Sequence, residues 1–210
     1  MVFGISSSFD SSPLTRLTLH QFQIDLLQPF DLQIEAGECF TLSGPSGCGK
    51  SMLFRAIADL DPHRGEMRLD NQLSTEIEPP LWRQQVGLLP AESGWWADEV
   101  GDHFNHADHS LLASLNFDTD VLTWPVERLS SGERQRLALA RLLEKHPKIL
   151  LLDEPTANLD GENSLRVEQL ITTYQAQHNS AVIWISHAPE QQQRISNRHI
   201  EINNGRVKWR

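Results

Sequence analysis

Residues 129–155 read LSSGERQRLALARLLEKHPKILLLDEP, and this stretch limits the possible folds more than any other part of the chain. It joins a Ser/Gly turn to a basic amphipathic helix and then to an apolar strand that ends in Asp153 and Glu154. Helix and strand alternate again afterwards, with a helix predicted over residues 162–178 and a strand over residues 181–186. Because such alternation favours right-handed crossovers, we expect a mostly parallel α/β sheet covered by helices.

The first 90 residues predict further strands. Apolar residues tend to alternate between residues 17 and 34, which is typical of strands with one buried face. Near the end of the chain, residues 200–202 and 206–209 flank an Asn-Gly turn and predict a hairpin. The other predicted segments are a strand over residues 39–43, a helix over 51–60, an edge strand over 67–69, a loop over 76–80 and a buried strand over 86–89.

Residues 92–128 differ from the rest of the chain because they hold three tryptophans and three histidines but show little strand patterning. We interpret them as part of a small helical subdomain, approximately residues 92–145, inserted in a single domain over residues 15–210. Residues 1–14 are predicted to form a loose leader. The leader has no basic residue and no apolar segment, so it does not resemble a signal peptide.

Composition excludes several classes of function. The net charge is −10, and the 18 Lys and Arg residues are scattered, which argues against binding to nucleic acid or to anionic lipid. The longest apolar runs are far shorter than the roughly 20 residues that span a bilayer, so we expect no direct membrane insertion. Cys39 and Cys48 lack metal-ligand spacing and fit a reducing compartment.

A glycine-rich segment joins the strand over residues 39–43 to the helix that follows. Its glycines let backbone N–H groups turn toward phosphates, and the helix directs the positive end of its dipole at them. We expect Lys50 to bridge the β- and γ-phosphates and the Ser51 hydroxyl to ligate Mg²⁺. Cys48 is either a reactive thiol or a small filler. The segment has the G-x-x-x-x-G-K-S spacing of a Walker A loop and consists of Gly44, Pro45, Ser46, Gly47, Cys48, Gly49, Lys50 and Ser51.

The strand over residues 149–153 has the pattern of a Walker B motif. Its four apolar residues bury it and deliver Asp153 to its carboxyl end, where open α/β sheets bind ligands. We expect Asp153 to hold Mg²⁺ through water. Glu154 follows directly and is the candidate general base for the attacking water.

Together, the segments GPSGCGKS, LSSGERQRLALAR and LLLDEPTANLD resemble the ATPase domain of ABC (ATP-binding cassette) proteins. The resemblance covers roughly residues 15–210. It implies a P-loop NTPase (RecA-like) core with a mostly parallel sheet, an N-terminal antiparallel β portion and a small helical subdomain. It also implies ATP as the nucleotide and Mg²⁺ as the metal.

The segment LSSGE resembles the ABC signature, which is usually written LSGGQ. In that family each signature caps the ATP held by the other subunit, so the resemblance implies a homodimer in the ATP-bound state. Ser131 replaces the first glycine and adds a Cβ where backbones approach closely, and Glu133 replaces the glutamine. The signature consists of Leu129, Ser130, Ser131, Gly132 and Glu133, of which Ser130 and the Gly132 amide would meet the γ-phosphate.

Further positions match the family one residue at a time. Asp160 matches the D-loop, which crosses to the partner's site, and His187 matches the switch histidine that contacts the γ-phosphate. Phe22 is the positional candidate for stacking on adenine, and a core-facing strand residue is an equally good interpretation. Ala91 stands where the family usually has the Q-loop glutamine, and the adjacent Glu92 is a candidate substitute.

Two clusters have competing interpretations. Trp95 and Trp96 lie where the resemblance implies contact with a membrane subunit, and core packing is as good an explanation. His103, His106 and His109 suggest a metal site, but side chains at steps of three drift around a helix. A solvated helical face is therefore the favoured interpretation of the histidines.

The resemblance implies a Mg²⁺-dependent ATPase that powers a separate transmembrane permease. Such a protein would be cytoplasmic and peripheral, on the inner face of the membrane through its permease. The alternative is an ATP-dependent switch or scaffold that acts on a soluble partner without transport. The missing glutamine at Ala91 favours this alternative.

Overall fold

The computed structural model of the chain describes residues 14–196 and 198–209. The leader predicted over residues 1–14 lies outside the described residues apart from Leu14. The strands are β1 Thr15–Gln23, β2 Phe30–Glu35, β3 Cys39–Ser43, β4 Arg64–Leu69, β5 Gln72–Leu73, β6 Val86–Leu89, β7 Ile149–Asp153, β8 Ala181–Ile185, β9 His199–Asn203 and β10 Arg206–Trp209. The helices are α1 Lys50–Ile57, α2 Pro79–Gln85, α3 His109–Ser114, α4 Ser131–Leu143, α5 Gly161–His178 and α6 Pro189–Ile195.

The larger sheet has six strands in the order β10-β9-β3-β8-β7-β6. Its five strands from β9 to β6 are parallel, and β10 adds the predicted hairpin antiparallel to β9. All five residues of β7 and of β8 are buried, which explains their continuous apolar runs. Alternate residues of β7 enter different cores: Ile149 and Leu151 lie on one face, Leu150 and Leu152 on the other. The predicted mostly parallel sheet is therefore confirmed.

The N-terminal portion forms a second, antiparallel sheet in the order β2-β1-β4-β5. The prediction of an edge strand over residues 67–69 is wrong, because β4 lies between β1 and β5. Asp70 and Asn71 both have positive φ angles, 49° and 69°, and turn the chain back as the short β5. Two consecutive left-handed residues are typical of a tight hairpin turn.

An ion triplet on Asp70 joins the two sheets. Its carboxylate lies 2.6 Å from Arg16 Nη1 of β1 and 2.7 Å from Lys148 Nζ, and Lys148 precedes β7. Asp70 is partly exposed, so the triplet contributes orientation more than stability.

Between β6 and α4 the chain forms short helical pieces and an isolated antiparallel bridge between Glu99 and Pro125. The helical pieces are α3 and the 3₁₀ segments Gly101–His103, Thr119–Thr123 and Val126–Arg128, and they pack around buried Val100, Leu112, Leu115 and Val121. The loop predicted over residues 76–80 is partly wrong because α2 begins at Pro79. Helix α6 was not predicted at all. In the described part of the chain, no helix is both long enough and apolar enough to cross a membrane.

Candidate active site

The loop between β3 and α1 has a backbone that requires glycine. Gly44, Gly47 and Gly49 have φ angles of 149°, 76° and 104°. A Cβ on Gly44 would lie 2.5 Å from the Ile202 carbonyl oxygen, so a larger residue there would displace backbone. The three glycines therefore hold the loop in a conformation that other residues would adopt only with strain.

Lys50 begins α1 and lies across this loop. Its Nζ donates hydrogen bonds to the carbonyl oxygens of Gly44, at 2.9 Å, and Pro45, at 3.1 Å. The residue is 7% exposed, and among the described residues its ammonium forms no ion pair at contact distance, although its charge opposes the rise that burial causes in the pKa of the Asp153 carboxyl. A buried cation at the start of a helix, held by two carbonyl oxygens and without an ion-pair partner, is suited to binding an anion.

The carboxyl end of β7 places an acid beside the loop. Asp153 is buried, and burial raises the pKa of its carboxyl, while a hydrogen bond with Ser51 opposes that change. A carboxylate and a hydroxyl held together supply the oxygen ligands that Mg²⁺ prefers. Because the carboxylate is desolvated, a bound divalent cation would stabilise its charged form.

Glu154 and His187 meet at the ends of the adjacent strands β7 and β8. His187 Nε2 lies 3.1 Å from Glu154 Oε1, and both side chains are partly exposed. The φ of Glu154 is 49°, and its N–H donates to the Ile185 carbonyl oxygen at 3.2 Å. A recess of about 410 Å³ opens beside this pair. Each of the two side chains therefore has an acid or base at hydrogen-bond distance and is accessible to solvent.

The LSSGE segment caps α4. Ser130 is the N-cap: its Oγ accepts from Glu133 N at 3.2 Å, and Glu133 Oε2 accepts from both Ser130 N and Ser130 Oγ at 2.8 Å. These bonds, led by the one from the Ser130 backbone, lower the pKa of Glu133. Gly132 packs closely on the segment after β7, since a Cβ there would lie 3.0 Å from the Asn158 carbonyl oxygen. The exposed Ser130 leaves the helix N-terminus accessible.

The helix after β7 begins in the same way. Asp160 is the N-cap of α5, and its Oδ1 accepts from Asn163 N at 2.8 Å. That backbone bond lowers the pKa of Asp160.

The family model for the ABC transporter family matches residues 27–157, more than half of the chain. The chain belongs to the ABC transporter family. A probable iron export ATP-binding protein, FetA of Escherichia coli (strain K12), is 33% identical over 175 residues, which cover 77% of this chain and 78% of FetA. An aliphatic sulfonates import ATP-binding protein, SsuB 2 of Agrobacterium fabrum, is 33% identical over 188 residues, covering 87% of this chain and 72% of SsuB 2.

Two solved structures share the fold of this ABC protein. A bacterial Atm1-family ABC exporter with ATP bound superposes with a TM-score of 0.79 at 23% identity, covering 92% of this chain and 38% of the exporter chain. A dimeric ATP-binding cassette in a post-hydrolysis state, bound to ADP and Pi, gives 0.77 at 22% identity, covering 91% and 96%. At these identities the likeness shows the fold, and the P-loop NTPase fold class is confirmed.

The prediction that Phe22 stacks on adenine is wrong for this ABC protein. Phe22 is 0% exposed, stacks on His63 at 5.0 Å between ring centroids and packs edge-on against Phe30. The register of β1 shifts before Phe22, where Gln21 has a φ of 47°. A bulge of this kind turns the following side chain to the other face, here into the core.

An aliphatic residue lies against the phosphate loop instead. The Leu26 side chain is 47% exposed, and its Cβ lies 3.4 Å from the position that a Cβ on Gly49 would take. Leu26 also lines a recess of about 270 Å³ together with residues 45–48 and 203–205. Sequence reasoning missed Leu26, because it sought an aromatic residue.

The position of the Q-loop glutamine is exposed in this ABC protein. Ala91 and Glu92 both lie at the surface after β6, and among the described residues the structure gives Glu92 no hydrogen bond or ion pair. The buried Gln135 of α4 donates to the Pro90 carbonyl oxygen at 3.2 Å and holds the start of this loop. That Glu92 substitutes for the glutamine stays a prediction.

The interpretation of the three histidines as one solvated helical face is wrong. His103 ends a 3₁₀ segment and is buried, His106 lies in the following loop, and His109 begins α3. The three histidines therefore do not share a helix. As a separate finding, no group of three or more His, Cys, Asp or Glu residues within residues 14–196 and 198–209 is arranged to hold a metal ion.

His103 belongs instead to a cluster that we call the tryptophan–arginine cluster, formed by Trp95, Trp96, His103 and Arg141. The His103 ring lies edge-on to both indoles, at 4.7 Å and 4.5 Å, and the Arg141 guanidinium carbon lies 4.8 Å and 4.7 Å from the same ring centroids. Trp95 packs against the core, whereas Trp96 is 72% exposed. Trp95 therefore contributes to core packing, and Trp96 lies at the surface.

Proposed function

We propose that this ABC protein is the ATP-binding and ATP-hydrolysing subunit of a transporter and powers a separate membrane permease. The observation that carries the proposal is the convergence of Lys50, Asp153, Glu154 and His187 at the carboxyl ends of the neighbouring strands β3, β7 and β8. Open α/β sheets bind their ligands at this edge. Names of relatives such as FetA and SsuB 2 describe ATP-binding proteins of export and import systems and support the same assignment.

Each residue has a distinct proposed role. Lys50 and the loop N–H groups bind the β- and γ-phosphates, and Ser51 and Asp153 hold Mg²⁺, which neutralises phosphate charge when bound. Glu154 accepts the proton of the attacking water at its carboxylate. His187 contacts the γ-phosphate and, through its 3.1 Å contact with Glu154, keeps that carboxylate oriented.

The signature is proposed to act on a second subunit's nucleotide. Ser130 and the Gly132 amide lie at the accessible N-terminus of α4, a position that favours a phosphate. One ATP cannot use two such helix ends on one chain, so we propose a homodimer in the ATP-bound state, with Asp160 crossing to the partner. The dimeric state of the ADP- and Pi-bound cassette supports this arrangement.

The test of the hydrolytic proposal is Glu154→Gln. The variant is expected to bind ATP and dimerise but to lose turnover, because an amide cannot accept the water proton. Turnover is measured as phosphate release with the permease present, and dimerisation as sedimentation velocity with ATP. Glu78→Gln, which removes a charge at the exposed start of α2, serves as the control and should keep wild-type turnover. A wild type that releases no phosphate even with its permease would overturn the proposal.

The tryptophan–arginine cluster is proposed to face the permease. Burial alone lowers the pKa of Arg141, no acid among the described residues pairs with it, and its Nη1 has no hydrogen-bond partner. Trp95 Nε1 and His103 Nδ1 are also buried without a hydrogen-bond partner in the part of the chain that the structure describes. The Arg141 Nη2 donates to the Gly94 carbonyl oxygen at 3.0 Å, and an exposed indole beside a guanidinium that lacks an acidic partner is typical of a protein interface. The protein would thereby be cytoplasmic and held peripherally on the membrane.

Co-sedimentation with membranes tests this attachment. Wild type is expected in the membrane fraction only when the permease is co-expressed, and Trp96→Ala is expected to remain largely in the supernatant. Leu165→Ala removes another exposed apolar side chain, on α5, and is the matched control. Equal sedimentation of both variants with the permease would contradict the assignment of this surface.

The second candidate function is an ATP-dependent switch or scaffold on a soluble partner, and the observation that favours it is Ala91. If the glutamine is missing because no permease must be coupled, Ala91→Gln should leave phosphate release unchanged, and affinity purification should yield a soluble partner. A stable complex with a polytopic membrane protein would exclude this candidate.

A further inference from the structure

Gln191 of α6 makes an unusual number of contacts for one buried amide. It is 7% exposed, its Oε1 accepts from Ser186 Oγ at 2.7 Å, and its Nε2 donates to Thr156 Oγ1 at 2.9 Å and to Glu168 Oε1 at 2.8 Å. Thus both ends of the amide are satisfied.

Two of these partners flank the catalytic pair. Ser186 directly precedes His187, and its Oγ also accepts from Ala188 N at 3.2 Å, on the other side of the histidine. Thr156 follows Glu154 by two residues, within the turn in which Ala157 N donates to the Glu154 carbonyl oxygen at 3.2 Å. One side chain therefore connects the loop that carries Glu154 with the loop that carries His187.

The third partner fixes the orientation of the amide. Glu168 on α5 is 8% exposed, and Arg194 donates to both of its oxygens, from Nη2 at 2.9 Å and from Nε at 3.1 Å. A carboxylate only accepts hydrogen bonds, so Nε2 of Gln191 must face Glu168 and Oε1 must face Ser186. The Glu168–Arg194 pair thus anchors the amide to the long helix α5.

We propose that Gln191 is a positioning residue that sets the relative placement of Glu154 and His187. The inference rests on the proposed ATPase function, since it concerns the same pair. Within the described residues, the hydrogen bonds of the Gln191 amide go to Ser186, Thr156 and Glu168, and none of them reaches Glu154 or His187. Gln191 acts through Thr156 and Ser186, so its loss should affect the hydrolytic step while ATP still binds through the loop at Lys50.

The first test is Gln191→Met, which keeps the volume and removes the hydrogen bonds of the amide to Ser186, Thr156 and Glu168. The expected result is a fall in kcat of about 10- to 100-fold with KM for ATP within about 2-fold, because a small misplacement of reacting groups lowers rate more than binding. Gln193→Met is the matched control, since Gln193 lies two residues further on α6 and is exposed. Rates are measured well below the melting temperature of each variant.

The second test is Gln191→Glu, whose effect should depend on pH. At neutral pH the new carboxylate faces Glu168, and among the described residues Arg194 is the cation hydrogen-bonded to Glu168. The charge of Glu190 also acts on Arg194, so the added negative charge is repelled. When protonated, the new acid donates to Glu168 and accepts from Ser186, as the amide does. The ratio of variant kcat to wild-type kcat should therefore rise as pH falls from about 8 to about 6. Because protonation would also relieve a destabilised fold, the rates are compared at a temperature at which the variant is fully folded at every pH.

A third readout does not depend on turnover. The ¹⁵N chemical shifts of the His187 ring should differ between wild type and Gln191→Met and be unchanged in Gln193→Met. They are recorded with ATP and Mg²⁺ in proteins that retain Glu154. Unchanged ring shifts, or a kcat within twofold of wild type in Gln191→Met, would overturn the inference. Failure of the wild type to hydrolyse ATP would instead refute the proposed function, and the ring shifts would still decide the role of Gln191.

Discussion

Glu133 places a negative charge where the family has a neutral glutamine, and removing that charge should tighten the ATP-bound dimer. Its carboxylate accepts from Ser130 Oγ at 2.8 Å, and its pKa is lowered, so it is charged at neutral pH. The hydroxyl has one hydrogen, so a phosphate oxygen that accepts it would take it from Glu133 and would lie within about 5.5 Å of the carboxylate, given an ordinary hydrogen bond of about 2.7 Å. Coulomb repulsion at that separation is about 1 kcal/mol in water and about 3 kcal/mol at the effective dielectric of a protein surface.

Glu133→Gln tests this repulsion in a Glu154→Gln background, where ATP is not consumed. The dimer dissociation constant, measured by sedimentation velocity with ATP and Mg²⁺, should fall at least about fivefold, since 1.4 kcal/mol is tenfold and the lower figure is about 1 kcal/mol. Glutamine also completes the capping box, so the free energy of unfolding should change by less than about 0.5 kcal/mol. The gain should shrink at high salt, because exposed charges are screened.

The matched control is Glu127→Gln, which removes the same charge from an exposed position in the 3₁₀ segment before the signature. An equal effect of both substitutions would attribute the change to net charge. A dissociation constant that is unchanged in Glu133→Gln would refute the reasoning, because it would place the phosphate away from Ser130.

Three further predictions follow from single contacts. Trp82→Phe should lower the free energy of unfolding in urea by about 1 to 3 kcal/mol, because Trp82 Nε1 donates to the buried Ile57 carbonyl oxygen at 2.9 Å; an unchanged midpoint would contradict this. Maleimide should label Cys48 before Cys39, whose thiol has its pKa raised to about 12 by burial, and ATP should protect Cys48; labelling unaffected by ATP would place the nucleotide elsewhere. Because burial raises the pKa of Asp153, protons should compete with Mg²⁺ at a higher pH than they do at an ordinary carboxyl. The Mg²⁺ affinity, measured by titration, should therefore weaken as pH falls. Asp153→Asn should abolish this dependence of the affinity on pH.

The parts of this site that could be predicted from sequence are those with local signals. The phosphate loop depends on glycines at fixed spacing, and the buried strands β7 and β8 are continuous apolar runs. Helices α2 and α6 escaped prediction because EPPLWRQQ and PEQQQRI lack an apolar period, although each begins with proline at its first turn.

The rest depended on contacts between distant residues. Alternation in β1 predicts one buried face, but the bulge at Gln21 reverses which residues lie on it, and this put Phe22 in the core. Gln191 had no sequence signal, because its partners Thr156 and Glu168 lie 35 and 23 residues away. The even spacing of the histidines suggested one helix, whereas a loop separates the 3₁₀ segment that ends at His103 from the helix that begins at His109.

The burial of β7 on both faces has a consequence for how the catalytic acids reach their place. Since Ile149, Leu150, Leu151 and Leu152 are all apolar, shifting the strand by one position would exchange one hydrophobic face for the other at little cost. The polar residues at its two ends prevent the shift. A shift in one direction would draw the Lys148 ammonium away from Asp70. A shift in the other direction would move the Asp153 carboxylate into the core without a partner. Electrostatics at the strand ends, more than the fit of its side chains, thus decides which residue of this strand stands at the edge of the sheet.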